Sequence, residues 1–282
     1  MSIRALKRRS VRSSTFFEKD LAVLLEFCGQ QPADVVSWRD FEASAGSFNG
    51  WSKIGEGAFG EVFKGPLDGV CIVLKVFCFN VLPLFQVFFK VIPFAVNEDQ
   101  CLKLVNGDHL KPAKFVFNEL FITNELSKLS EAGNDFVTPS FTQLRMSKVV
   151  KGCLPSKLLK AWDDFKKAKP ELVENDRPDI YAHEDLHFAI IGLSYGGKDL
   201  EKYTIKNGRE CYSIFHQVAL SLAIAEDVLE FEHRDLHAGN ILVEQCPVDE
   251  KIRYLYRGEQ IDVVSNGVRA SIIDFSISHL EK

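Results

Sequence analysis

The sequence predicts an α+β fold in two lobes, an antiparallel-sheet upper lobe and a mainly helical lower lobe expected to be incomplete at its C-terminus. Three observations predict it. Gly55-x-Gly57-x-x-Gly60-x-Val62 has apolar flanks at strand spacing and continues into Glu61-Val62-Phe63-Lys64, a returning strand rather than a helix. Residues Arg209 to Leu229 place Ile214, Phe215, Val218, Leu222, Ala225 and Leu229 on one apolar stripe. That helix closes on Phe231-Glu232-His233-Arg234-Asp235-Leu236-His237-Ala238-Gly239-Asn240, a loop leading into the apolar Ile241-Leu242-Val243.

Composition bounds the reading. A chain of 282 residues and 31.9 kDa, 46% hydrophobic and 26% charged, suits one two-lobed domain or two small ones. The net charge of -5 argues against wholesale nucleic-acid binding. Seven scattered cysteines with no C-x-x-C pair suggest neither a disulfide framework nor a structural zinc, and a reducing compartment, nucleus and cytoplasm, fits best. No secretory signal opens the chain. The most apolar run, Val70 to Val96, is interrupted by Lys75, Pro83 and Lys90 and is too short to cross a bilayer, so no membrane role is expected.

In chain order, residues 1–12 read as a basic, disordered tail suited to a solvated terminus, with nuclear import or chromatin contact as the functional alternative. Residues 13–50 read as an extension packed on the upper lobe, with Thr15-Phe16-Phe17-Glu18 as a capping box for a helix ending near Gly29. The upper lobe runs over 51–193 and the hinge and partial lower lobe over 194–282. Lys114 to Ser130 has a helical apolar face stopped by Gly133, and Glu119 lies on that helix. Residues 134–185, punctuated by four prolines, read as loops with short elements. Phe188 to Leu193 reads as a buried strand, Tyr195 to Leu200 as a hinge, and Ile252–Tyr256 and Gly267–Ile273 as strands ending at Asp274-Phe275-Ser276.

The loop spells H-R-D-x-x-x-x-N, the arrangement of a protein kinase catalytic loop. Phosphoryl transfer needs a carboxylate to accept the hydroxyl proton, here Asp235, and oxygen ligands on a metal bridging the ATP phosphates, here Asn240 and Asp274. A glycine hairpin followed by a strand lysine completes the pattern: the glycines let backbone amides approach phosphates, and the lysine holds their oxygens. Lys75, in Cys71-Ile72-Val73-Leu74-Lys75, is favoured for that lysine by its spacing from Gly55, with Lys90 second. Glu119 is its expected partner, against the plainer reading of Glu119 or Glu125 as a solvated helix charge. A rival motif, His183-Glu184-Asp185-Leu186-His187, matches the zinc-protease H-E-x-x-H, but that chemistry needs a helix, and here Pro178 precedes and a strand follows.

Together these residues resemble the haspin family, a divergent group of eukaryotic serine/threonine protein kinases. The resemblance spans roughly Phe16 to the last residue. It is carried by Ile54-Gly55-Glu56-Gly57-Ala58-Phe59-Gly60-Glu61-Val62-Phe63, Leu104-Val105-Asn106-Gly107, Glu125-Leu126-Ser127, Leu159-Lys160-Ala161-Trp162-Asp163, Asn175-Asp176-Arg177-Pro178-Asp179, Phe231 to His237, and Ser271-Ile272-Ile273-Asp274. It implies ATP bound between the lobes under the Gly55 to Gly60 loop, with Gly196 at the hinge and Asp199 near the ribose. It also implies Lys75 paired with Glu119, Asp235 as the base, and Asn240 and Asp274 on Mg. By analogy the substrate is a threonine in a histone tail, phosphorylated in mitosis.

Two departures stand out. Val76 to Lys90 lengthens the chain between the strand lysine and Leu104-Val105-Asn106-Gly107; removing it leaves Ile72-Val73-Leu74-Lys75-Val91-Ile92-Pro93-Phe94, a haspin-like strand, as expected for an in-frame intron read as protein. The sequence also ends eight residues after Asp274, before the segments that would wall a peptide site. The alternative function is therefore a pseudokinase or kinase fragment acting as a nucleotide-binding or chromatin-associated scaffold.

Overall fold

The computed structural model describes residues 16–44, 48–57, 60–66, 86–131 and 135–281. The tail 1–12, Thr15, Ala58, Phe59, Lys75, Gly133 and residues 76–85 of the expected insert lie outside the described residues. The chain divides into two compact units, Met1–Phe117 with Arg145–Ser194, and Asn118–Leu144 with Tyr195–Lys282. Residues 118–144, within the 51–193 stretch of the sequence reading, are grouped with the second unit. The reason is packing: Ile122, Leu126, Leu129 and Phe141 are buried in one cluster with Ile214 and Val218.

In the first unit, helix α1 (residues 16–27) ends where Gly29 takes φ +64, its N–H donating to the Glu26 carbonyl at 2.9 Å. Such a left-handed turn is what glycine supplies at a helix end. Strands β1 (Val36–Ser37), β2 (Ser52–Gly57), β3 (Gly60–Pro66) and β4 (Gln86–Phe94) follow, with helix α2 (Trp38–Ser44) between the first two. Helix α3 (Glu98–Cys101) and the small hairpin β5 (Leu104–Val105) and β6 (Asp108–His109) come next, and helix α4 (Ala113–Lys128) begins in this unit and passes into the second at Asn118. Strand β7 (Leu144–Lys151), helix α5 (Ser156–Ala168) and strand β8 (His187–Ser194) complete the set. Six strands join in the order β1-β7-β8-β4-β3-β2. The pairs from β2 through β8 are antiparallel, whereas β1 runs parallel to β7.

The expectation of loops over 134–185 fails at β7 and α5. Helix α5 buries Leu158, Ala161, Trp162 and Phe165, spaced at i, i+3, i+4 and i+7, and packs on β2. Gln30 acts as a substitute strand residue for β7: its Nε2 donates to the Val149 carbonyl at 2.9 Å, and its Oε1 accepts the Val149 N–H at 2.7 Å. Phe63, Phe89 and Phe188 are fully buried with Trp38 and Phe41, and Trp51 stacks on Phe89 at 4.0 Å.

The second unit is built on helix α6 (Gly208–Leu229). Asn207 caps it, its Oδ1 accepting from the Arg209 and Glu210 amides at 3.0 Å each. Strands β9 (Lys198–Asp199), β10 (Ile241–Gln245), β11 (Lys251–Tyr256), β12 (Glu259–Val264) and β13 (Val268–Ile272) make a three-stranded sheet, β13-β10-β9, and a separate β11–β12 hairpin. The expected stripe on α6 is corrected at Phe215, which is 69% exposed. The buried face extends instead along the other edge of the stripe, through Ser213, Gln217 and Ser221, where Ser213 and Gln217 serve backbone groups of Val264, Val268 and Ala270. Gln217 Nε2 donates to the Val268 carbonyl at 3.0 Å, and its Oε1 accepts the Ala270 N–H at 2.8 Å.

Candidate active site

The loop from Phe231 to Asn240 is held by its neighbours rather than by its own regularity. Glu232 exchanges two backbone hydrogen bonds with His279, at 2.8 and 2.9 Å. The His233 Nε2–H donates to the Ile273 carbonyl at 3.0 Å, and the Ser278 hydroxyl donates to the His233 carbonyl at 2.9 Å. Burial pushes His233 below the usual histidine range, against the opposing pull of the bond to the Ile273 carbonyl, and so favours the neutral ring. Edge-on against it lies Phe275, 5.7 Å away, and Phe275 also meets Phe231 and Phe141 at 6.0 and 6.1 Å. His233 is thus a structural hydrogen-bonding residue, tying the loop to the segment that carries Asp274.

Asn240 is buried, and its Nδ2 donates to the Asp235 carbonyl at 2.9 Å. That bond fixes which end of the amide carries the oxygen. The turn before it is set by His237, whose Nδ1 accepts the Gly239 N–H at 3.1 Å. Arg234 and Asp274 both have positive φ, +64 and +63. A left-handed conformation costs a non-glycine residue roughly 1–2 kcal/mol, a strain that clusters at functional sites. Asp235 itself is exposed.

The three-stranded sheet explains how residues far apart in sequence meet. Strand β10 runs antiparallel to both neighbours, with Ile241 opposite Ile272 and Leu242 opposite Asp199. Its first end therefore lies beside the last ends of β9 and β13, gathering Asp199, Asn240 and Asp274 at one edge. The Ile273 N–H donates to the Asn240 carbonyl at 3.0 Å, extending the ladder to the threshold of Asp274. Asp199 accepts the Lys202 amide at 2.9 Å and faces its ammonium at 3.0 Å. The hinge must be tight here. Gly197 has φ +95, and a Cβ on it would stand 2.0 Å from the Val243 carbonyl oxygen; one on Gly196 would press Leu242 at 2.9 Å.

In the first unit, Gly57 and Gly60 pair at the mouth of the β2–β3 hairpin, with Gly55 opposite Val62 and Glu56 opposite Glu61. A Cβ on Gly60 would stand 2.2 Å from the Val91 carbonyl oxygen, so only glycine lets β4 approach. The strand beside the hairpin is β4, and it carries Lys90, opposite Val62 on one side and Ile191 on the other. Lys90 is buried, its Cε 3.5 Å from where a Gly57 Cβ would be. Lys75, preferred by sequence spacing, lies outside the described residues. The apolar alternation of Val87, Phe89 and Val91 marks a strand; that it pairs with β3 on one edge and β8 on the other is a fact of topology. Glu119, in the second unit, is buried on α4, its carbonyl accepting the Thr123 hydroxyl at 2.6 Å, whereas Glu125 pairs with Lys128 at 2.5 Å.

The H-E-x-x-H rival has no helix. His187 opens β8 with its Nδ1 3.1 Å from the Asp185 carbonyl, and His183 Nε2 lies 3.1 Å from the Lys103 ammonium. Among the described residues no group of three or more His, Cys, Asp or Glu is arranged to hold a metal. Asn240 and Asp274 offer instead an amide oxygen and a carboxylate. That all-oxygen pair fits magnesium, which keeps waters and takes the rest of its ligands from phosphates.

A hairpin of glycines followed by a strand carrying a buried lysine, and a small sheet that gathers Asp199, Asn240 and Asp274 at one edge, make the fold kinase-like. A family model described as "Haspin like kinase domain" matches residues 8–282, and the chain belongs to that haspin-like kinase family. It is 38% identical over 233 residues to serine/threonine-protein kinase haspin of Mus musculus, covering 82% of this chain and 28% of the relative. The haspin homolog of Drosophila melanogaster is 30% identical over 228 residues, 81% of this chain and 37% of the relative. That of Arabidopsis thaliana is 30% identical over 283 residues, 98% of this chain and 42% of the relative. The chain therefore spans less than half the length of these relatives.

Proposed function

We propose that this chain is a serine/threonine protein kinase that transfers the γ-phosphate of ATP to a protein hydroxyl. The single observation that carries this is the sheet edge that gathers Asp199, Asn240 and Asp274 beside the loop of Asp235. Asp235 accepts the proton of the attacking hydroxyl. Asn240 and Asp274 would hold magnesium, which when bound offsets charge on the phosphate oxygens. Lys90 takes the phosphate-holding place ahead of Lys75, supported by its position in β4 next to the glycine hairpin, and Glu119 is the acid that the family pattern assigns to that lysine. The amides of Gly55, Glu56, Gly57 and Gly60, with Val62 behind them, face the nucleotide; Ala58 and Phe59 belong to the same motif. Asp199 meets the ribose and Gly196 the base.

The acceptor is a histone-tail threonine and the setting is mitosis, in nucleus and cytoplasm with chromatin association. Family membership supports this, together with the names of the relatives as haspin kinases. The test is transfer from labelled ATP with magnesium to a histone-tail peptide, wild type beside Asp235→Asn. Transfer that vanishes in the variant supports the kinase; ATP binding with no transfer by the wild type supports a nucleotide-binding scaffold instead.

A further inference from the structure

The glycine hairpin holds a buried charge that phosphate chemistry does not explain. Lys53 is 4% exposed, and its Nζ lies 2.5 Å from Glu56 Oε1 while also contacting the Glu61 carboxylate. Glu56 and Glu61 stand directly opposite each other across the hairpin. Two like charges in that position repel, and the ammonium between them removes the conflict. The rings of Trp162 and Phe165, both on α5, lie over the same ammonium at 5.3 and 5.4 Å, favourable for a cation in a dry site.

The network extends into the segment after α5. Glu56 Oε2 accepts the backbone N–H groups of Glu174 and Asn175, each at 2.8 Å. The Asn175 side-chain amide donates to Glu61 Oε1 at 3.1 Å and to the Gly60 carbonyl at 3.4 Å. That segment is itself moored: Arg177 forks onto Asp163 of α5 at 2.8 and 2.9 Å, and the Asp176 N–H donates to Asn106 Oδ1 at 3.0 Å. Both strands flanking the glycine tip are therefore tied to one helix and the turn beyond it. Burial raises the Glu61 carboxyl above its usual range, while Lys53 and Asn175 pull it back down.

A buried ion pair adds little net stability over apolar packing of the same volume, so stability is a poor reason for this network. What it sets is geometry. We propose that Lys53, Glu56, Glu61 and Asn175 are positioning residues that hold the glycine hairpin in its nucleotide-binding shape, pre-organising its amides for phosphate. This rests on the kinase reading above. A hairpin already fixed loses less freedom when the phosphates arrive, so its loosening should weaken phosphate-bearing ligands selectively.

The experiment compares dissociation constants for Mg-ATP and for adenosine by calorimetry in wild type, Asn175→Ala and Glu56→Gln, with amide exchange followed at Gly57 and Gly60. Asn175→Ala should weaken Mg-ATP about tenfold and leave adenosine unchanged, with faster exchange at both glycines. Glu56→Gln keeps an oxygen for the two backbone donors and should weaken Mg-ATP less. Unchanged ATP affinity in Asn175→Ala overturns the clamp, and so does an equal loss of adenosine and ATP, which marks general loosening of the unit. If the wild type binds neither ligand, the kinase reading falls; the exchange rates then decide the clamp by themselves, faster in Asn175→Ala supporting it and equal rates overturning it.

Discussion

The loop from Phe231 to Asn240 and the glycine hairpin from Ser52 to Pro66 are held in opposite ways. Beneath its surface the loop is fixed by uncharged means: the His233 bond to the Ile273 carbonyl, the backbone exchange between Glu232 and His279, and the ring cluster of Phe141, Phe231 and Phe275. Its ion pair, Arg234 with Glu232 at 2.8 Å, is exposed. The hairpin is fixed by full charges, Lys53 between Glu56 and Glu61, under aromatic rings. The difference follows from what each must do. On the kinase reading the loop would offer the Asp235 carboxylate, whose ionisation a buried charge beneath it would perturb more than the exposed Arg234–Glu232 pair does. A hairpin that offers only backbone amides has no titratable working group to disturb.

The comparison can be broken most sharply at the working residues. Asp235→Asn should lower the transfer rate by about 10²–10⁴-fold with the Mg-ATP dissociation constant unchanged, measured by single-turnover kinetics and calorimetry. A matched loss of ATP binding would mean that the loop collapses without its charge. Lys90→Met should cost about 10²-fold in kcat/KM, while Lys75→Met should leave it within about twofold. The reverse order, read in the same peptide assay, would return the phosphate-holding place to Lys75.

Stability separates the two regions further. Gln217→Leu strands the Val268 carbonyl and the Ala270 N–H, and should cost about 2 kcal/mol in urea unfolding of the second unit. The smallest effect is a pH dependence. His233 and His187 are both held below their ordinary value by burial. The unfolded chain therefore binds protons that the folded one refuses. Their contribution is complete above about pH 6.5 and is lost as pH falls below it towards their folded values. His233→Gln and His187→Gln should each flatten the decline in urea midpoint between about pH 6.5 and 5.5. A slope as steep as that of the wild type would show that neither imidazole carries it.

Much of the fold was readable because it is written in local periodicity. Helices α4 and α6, strands β8, β11 and β13, and the loop with its Asp235 and Asn240 each announce themselves within about two turns or one strand of sequence. Helix α5 was equally periodic, at Leu158, Ala161, Trp162 and Phe165, yet the prolines around it suggested only short elements. Strand β12 and the parallel pairing of β1 with β7 had no local signal. Phe215 was misplaced because apolar periodicity cannot show that the buried face of α6 is shifted towards Ser213 and Gln217, whose side chains serve the backbone of Val264, Val268 and Ala270. Lys90 required knowing which strand pairs with both β3 and β8, a fact of topology rather than of spacing. The clamp at Lys53 was unreadable for the same reason: its partners Trp162 and Asn175 lie more than a hundred residues away, and a register shift between Lys53 and Gly55 aligns its charges.

Strand β10 has a partner on each side, so adding or removing one residue within it would break two ladders and carry Asn240 away from both Asp199 and Asp274. The stretch 246–267, which joins the far end of β10 to the start of β13, leaves and returns at the opposite end of that sheet. An engineer who needs a place for a tag or a reporter should therefore look to the exposed turn at Arg257–Gly258 within that stretch, away from the buried Ile252, Tyr254 and Val263 that pack on Ile224.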